Sequence, residues 1–152
     1  MKKALLTGCL LVLRLAVLAQ TGEEKEKKLV QAITSFSAAT LYNTYGIIGS
    51  ISDGFGADAY DAETVKNLLN AQQELMDNLV KVVEDLKSSG TVSDSITINY
   101  ITTAAAIMKN LKQQARLMTD YARTKKRSLL DEYEKQRNNN WKDISKLMGV
   151  KE

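Results

Sequence analysis

Apolar residues recur along most of this chain at intervals of three and four, the period of an α-helix. Leu29, Ile33, Phe36, Thr40, Thr44, Ile47 and Ile51 set the phase of a first amphipathic helix over about 24–52. Gly46 and Gly49 lie inside it, each costing up to ~1 kcal/mol relative to Ala. Asp53-Gly54-Phe55-Gly56 is expected to end it, with glycines free to take positive φ.

The second helix has the clearest boundaries. Asp61 is a good N-cap, and Glu63 sits in the first turn, where the helix dipole favours a carboxylate. Val65, Leu68, Leu69, Gln72, Leu75, Met76, Leu79, Val82, Val83 and Leu86 form the wide apolar face of a bundle helix, with Gln72 its one polar member. Lys87-Ser88-Ser89-Gly90 supplies the stop.

Ser93 or Asp94 caps the next segment, and no Gly or Pro then occurs until Gly149. Two sets recur every eleven residues: Tyr100, Leu111, Ala122, Tyr133 and Ile144, and Ile96, Ile107, Met118 and Leu129. Eleven residues in three turns is about 3.67 per turn, so one straight helix of ~80 Å is permitted. The first two helices reach only ~40 Å each. An unbroken third would project far beyond them, so the favoured reading is two helices with a break or bend near Thr124 or Ser128, with one long helix as the alternative. Asn138-Asn139-Asn140-Trp141 reads as a second local break, with Asn140 capping a last helix, Asp143 at its third position and Trp141 folding back onto the bundle.

The pattern thus predicts an all-α protein, an antiparallel bundle of three to four long helices behind an N-terminal signal helix. Residues 1–19 are the expected leader and residues 20–152 one helical-bundle domain. Neither a domain-sized repeat nor a Pro/Gly/Ser linker divides it. Charge supports a hairpin of the second and third helices. Residues 53–94 hold nine acidic and three basic residues, and residues 109–127 hold seven basic and one acidic. A fold about Gly90 would bring Lys109, Arg116 and Arg123 level with Glu74, Glu63 and Asp58. That pairing accounts for the basic cluster without an anionic ligand.

The leader itself changes how charge is read. Met1-Lys2-Lys3 is a positive start, Ala4 to Leu13 is apolar, Arg14 interrupts, and Leu15-Ala16-Val17-Leu18-Ala19 comes after it. Cleavage between Ala19 and Gln20 places small or apolar residues where signal peptidase needs them, whereas a cut after Ala16 would present Arg14. Leu6-Thr7-Gly8-Cys9 has the shape of a lipobox, but too few residues separate it from Lys3 for a full apolar region. Retention as an anchor is disfavoured by the short apolar stretch and by Arg14 at its centre. The formal net charge of +3 arises from Lys2, Lys3 and Arg14 alone, leaving eighteen basic and eighteen acidic residues beyond the leader. A neutral mature chain lacks the basic excess that phosphate binding requires, so nucleic acid is not an expected partner.

Side-chain chemistry narrows the rest. The chain has no His, and its single Cys, Cys9, lies in the leader. Imidazole bases, Ser-His-Asp triads and His metal sites are excluded, as are thiolate and metal–sulfur sites in the mature part. No catalytic, cofactor or metal-binding residues are assigned. Gly46-Ile47-Ile48-Gly49-Ser50 lacks the Gly-Lys-Ser/Thr of a phosphate loop and reads as close helix packing. Glu84-Asp85 and Asp131-Glu132 point ~100° apart on a helix. Asp53, Asp58 and Asp61 are the nearest approach to a cation loop and read as turn and cap residues.

Tyr42, Tyr45, Phe55 and Tyr60 gather around the first connection, with Gly46 and Gly49 nearby. Tyrosine offers apolar area with a polar tip, which suits an interface or the closed end of a bundle. These six residues are the candidate interaction surface. The expectation is an exported, periplasmic or cell-surface, non-enzymatic helical protein that acts by contacting another protein or a second copy. Small exported subunits of secretion or conjugation machines look similar in outline, a likeness of architecture with no motif behind it. The alternatives are a carboxylate enzyme acting on cell-wall glycan through Asp53, Asp58, Asp61 and Glu63, and a helical protein anchored by its leader or a lipidated Cys9. N-terminal sequencing of the native protein is expected to begin at Gln20. A start at Met1, or a lipid-blocked Cys9, would contradict the cleavage reading.

Overall fold

The computed structural model describes the backbone of residues 2–150 and the side chains of Glu24 and residues 27–150. The described residues form four helices: α1 (Lys2–Gly56), α2 (Ala62–Ser88), α3 (Ser95–Thr124) and α4 (Arg127–Met148). No strand occurs among the described residues. The chain divides into two compact units, Met1–Ser35 and Phe36–Glu152. In the first, Lys28 pairs with Glu24 at 2.8 Å along exposed helix surface. The leader reading, including Cys9, Arg14 and the Ala19–Gln20 cut, lies outside the described side chains. No helix among the described residues is long and apolar enough to cross a membrane.

The second unit is the bundle. Both predicted caps form: the Asp61 carboxylate accepts from the Thr64 N–H at 2.7 Å, and Asp94 from the Thr97 N–H at 2.8 Å. These bonds satisfy N–H groups that a helix start otherwise leaves open. The Thr64 backbone bond chiefly holds the Asp61 carboxyl below the ordinary Asp range, and bonds from the Thr97 hydroxyl and N–H do the same for Asp94. α2 ends as expected, with Lys87 in its last turn and Gly90 at φ 69° just beyond.

α3 packs against both α2 and α4. Ile101, Ala104, Ile107, Met108, Leu111, Ala115 and Met118 are buried along it. Residues 36–56 of α1 add Leu41, Ile48, Ile51 and Phe55 to the same core, α2 adds Val65, Leu69 and Met76, and α4 adds Tyr133 and Ile144. Cross-helix pairs fix the directions. Lys109 meets Glu84 and Lys112 meets Asp77, so α2 and α3 are antiparallel. Tyr45 meets Trp141 while Asp53 meets Arg137, so α1 and α4 are antiparallel. Ser37 bonds Tyr100 and Phe55 packs on Tyr121, so α1 and α3 run in parallel.

Five expectations are corrected by tertiary contacts. α1 does not stop at Asp53 but runs to Gly56, and the left-handed residue is Asp58 at φ 58°, not a glycine. The extra turn delivers Phe55 into the core. The hairpin register also differs: Lys109 meets Glu84 at 2.9 Å rather than Glu74, and Arg123 shares a groove with Glu63, the level expected of Arg116. The connection spreads over residues 89–94 instead of folding at Gly90, and lysine side chains lean toward their own helix N-terminus. Third, α4 is unbroken through Asn138–Trp141. Asn140 is fully buried and donates to the Gln114 side-chain carbonyl at 2.8 Å and the Asn110 carbonyl at 3.2 Å. Fourth, the wide face of α2 is only partly used, for Leu68, Leu75 and Val82 remain 40%, 41% and 62% exposed. Gln72 is half-buried within it, and its Oε1 has no hydrogen-bond partner. Fifth, Ile96 stands in solvent although its eleven-residue set is otherwise inward.

The long third segment breaks at the first of the two expected places. α3 ends at Thr124, Lys125 takes left-handed φ 55°, and α4 starts at Arg127.

Leu111→Ala is expected to cost about 2–5 kcal/mol in urea unfolding, because it opens a cavity at the centre of the core. Val82→Ala should stay within about 0.5 kcal/mol. Similar losses at both sites would contradict this placement of the core. The caps add a pH signature. Their folded-state pKa values are lowered, so their contribution is complete above the unfolded Asp range near ~4 and fades as pH falls through the folded values. The melting-temperature gap between the wild type and an Asp94→Ala variant should therefore be present at pH 7 and shrink on acidification below pH ~4. A gap unchanged down to pH ~2 would contradict the cap assignment.

Candidate functional site

The outward face of α1 carries small side chains at helical spacing: Asn43, Gly46 and Ser50. Larger groups rise on either side. Toward α4, the Trp141 ring packs on Tyr42 at 6.3 Å with a 55° tilt and on Tyr45 at 5.6 Å with a 32° tilt. Toward α2 stand Ile47, Ile51, Tyr60 and Leu68. Together they shape an open saddle of about 710 Å³ with Gly46 on its floor. None of its ten lining residues carries a charge, in a chain that is 26% Asp, Glu, Lys and Arg. Depletion of charge with enrichment in Tyr and Trp is the composition of an interface core.

The three glycines around this surface differ in what holds them. At Gly54 an added Cβ would fall 2.5 Å from the Tyr60 ring, so Gly54 is the seat on which Tyr60 rests. At Gly49 it would lie 3.4 Å from the Arg137 guanidinium, which reaches Asp53 at 3.8 Å and Glu134 at 4.0 Å. At Gly46 it would meet nothing within 4 Å. Gly46 is helical, is not at positive φ, and so has neither a steric nor a conformational reason among the described residues.

Of the six sequence candidates, Tyr42, Tyr45, Gly46 and Tyr60 come together in the saddle. Gly49 lies buried beneath Arg137, and the expected close approach of helix backbones does not occur at Gly46. Phe55 belongs elsewhere. It is buried, packs edge-on to Tyr121 at 6.1 Å, and carries the Lys125 ammonium 3.6 Å above its ring. Sequence reasoning missed Ile47, Leu68 and the role of Trp141. Leu68, Leu75 and Val82 recur every seven residues on a face wider than a bundle needs, and that excess was the available signal.

The acidic residues near the first connection are dispersed. Asp61 caps α2, Glu63 pairs with Lys66 at 3.1 Å, and Asp53 faces Arg137. Among the described residues no group of three or more Asp, Glu, Cys or His is placed to hold a metal ion. Tyr133 is buried in the core, and that burial pushes its hydroxyl pKa up. Comparison with protein-family models, curated proteins and solved structures found no match.

Gly46→Ala is expected to stabilise the protein by up to ~1 kcal/mol, since it adds helix propensity and clashes with nothing. Gly54→Ala must displace Tyr60 and should give less than that or a loss. Equal gains from both, measured by thermal and urea unfolding, would contradict the assignment of Gly46 as the free floor of the saddle.

Proposed function

We propose that this chain is an exported, non-enzymatic helical protein of the cell envelope that works by protein–protein contact. In this reading the saddle on α1 receives an uncharged, apolar helix of a partner protein. The observation that carries it is Gly46. A glycine that weakens its own helix, with no compensating contact among the described residues, lies on the floor of an uncharged aromatic groove. A partner helix crossing there gains close backbone approach over Gly46, flanked by Asn43 and Ser50. Tyr42, Tyr60 and Trp141 supply rigid apolar area around it.

The export part rests on the leader pattern, with Lys2-Lys3, an apolar run and Ala19. The partner is then an envelope protein, and the role is that of a small subunit in an envelope or secretion assembly. Charge agrees with this, because the chain beyond the leader is neutral and the saddle has no charged lining. Such a partner would be recognised by shape and apolar contact more than by electrostatic steering.

Affinity capture from native envelope extract compares the wild type with Gly46→Leu, which fills the floor with a side chain. The wild type is expected to retain an envelope protein at near-stoichiometric yield, and Gly46→Leu to lose about tenfold of it. Equal capture by both proteins, or a wild type that retains no envelope protein, would overturn the reading.

A further inference from the structure

The junction between α3 and α4 is a bend that its own residues oppose. Only Lys125 and Lys126 separate the two helices, and neither is Gly or Pro. Lys125 takes a left-handed conformation that glycine normally supplies. α4 opens without a side-chain cap and without an acidic residue in its first turn. It begins instead with Lys126 and Arg127, cations at the positive end of the helix dipole. Local signals at this junction therefore favour an uninterrupted helix.

The packing phase agrees with those signals. Leu111, Ala122, Tyr133 and Ile144 are all buried and lie eleven residues apart, so the same repeat crosses the bend without slipping. What closes the bend is tertiary. Lys125 sits over the Phe55 ring, and α4 returns to α3 through Tyr133, Ile144 and the Asn140–Gln114 amide pair. A lone chain cannot straighten, because it would expose that entire face to water. Two chains can, since each α4 then finds the same α1 and α3 surfaces on the other copy.

We infer that the junction at Lys125–Lys126 is a swap hinge, and that a second copy of this chain is the partner that exchanges α4. In the exchanged dimer residues 95–148 form one helix of about 81 Å. The N–H groups at the start of α4 regain carbonyl partners from the last turn of α3, and the misplaced cations move into a helix interior, where the dipole conflict ends. Every buried contact of α4 is kept, now made between chains. Hinges of this kind, short and locally strained, are the known route to exchange between identical copies.

The test uses two hinge variants alongside the wild type, each unfolded and refolded at high concentration and sized by light scattering. Lys125→Gly accepts the left-handed conformation and should be monomeric. Lys125→Ala combined with Lys126→Arg removes the ammonium that sits over Phe55, keeps the cation at the start of α4 and disfavours the left-handed residue, and should raise the dimer fraction at least about tenfold over Lys125→Gly. Spin labels at the exposed positions Arg116 and Asp143, in a Cys9→Ser background diluted into unlabelled chain, report the hinge directly. Straight chains place the labels about 40 Å apart along one helix, and bent chains place them on neighbouring helices at about 10–20 Å. A dimer of the double variant with the long distance, beside a monomeric Lys125→Gly with the short one, is the expected result. The same oligomeric state in all three proteins would overturn the inference, and so would a dimer that keeps the short distance.

Discussion

Helix α3 has to hide apolar surface on most of its circumference, and the other three helices are arranged by that need. Its buried residues include Ile101, Ala104, Ile107, Met108, Leu111, Ala115, Leu117, Met118 and Ala122, too many to satisfy with one neighbour. α2 and α4 therefore flank it, and residues 36–56 of α1 close the remaining side through Leu41, Ile48 and Ile51. Small residues at Ala104 and Ala115 let neighbouring helices approach, while Leu111 and Met118 fill the space between. The polar residues in this core are held to one register by the Asn140–Gln114 pair, since a shifted α4 would leave both amides buried and unpaired. Tyr133 adds a buried hydroxyl to the same layer, within reach of the Ser52 and Gln114 side chains, so this layer also favours one alignment of α4.

Signals that act within a turn or two were legible in the sequence. The caps at Asp61 and Asp94, the stop at Lys87–Gly90, and the phase of α2 and α3 all depend on neighbours in the chain. What was not legible depended on residues far away. α1 runs past Asp53 because Phe55 has a place beside Tyr121, a residue 66 positions later. Asn140 looks like a helix breaker by composition, yet its partners Gln114 and Asn110 lie on another helix. The bend at Lys125 is the reverse case, for length argued for it while the local residues argued against it. The candidate surface divides in the same way. Tyr42, Tyr45, Gly46 and Tyr60 were found by their clustering in sequence, whereas Trp141 and Leu68 join them only through the packing of α4 and α2.

The two features that the monomer does not explain lie at different places and concern different partners. Gly46 weakens α1 for no contact among the described residues, and Lys125 adopts a glycine conformation at an uncapped junction. Disagreement between local preference and global structure tends to mark function, because a fold shaped by stability alone would remove it cheaply. The proposed partner helix gives Gly46 a role, and the proposed exchange of α4 gives Lys125 one. Neither depends on chemistry that the side chains of this protein lack.

Trp141 is the only tryptophan in the chain and forms one wall of the saddle. It therefore offers the most direct measurement of the central claim, that this surface is where the partner sits. Protein labelled with 5-fluorotryptophan gives one fluorine resonance, which can be followed while the protein retained by affinity capture is added in excess. This resonance is expected to move to a bound position in step with complex formation. A complex that forms fully while the Trp141 resonance stays where it is in the free protein would contradict the claim.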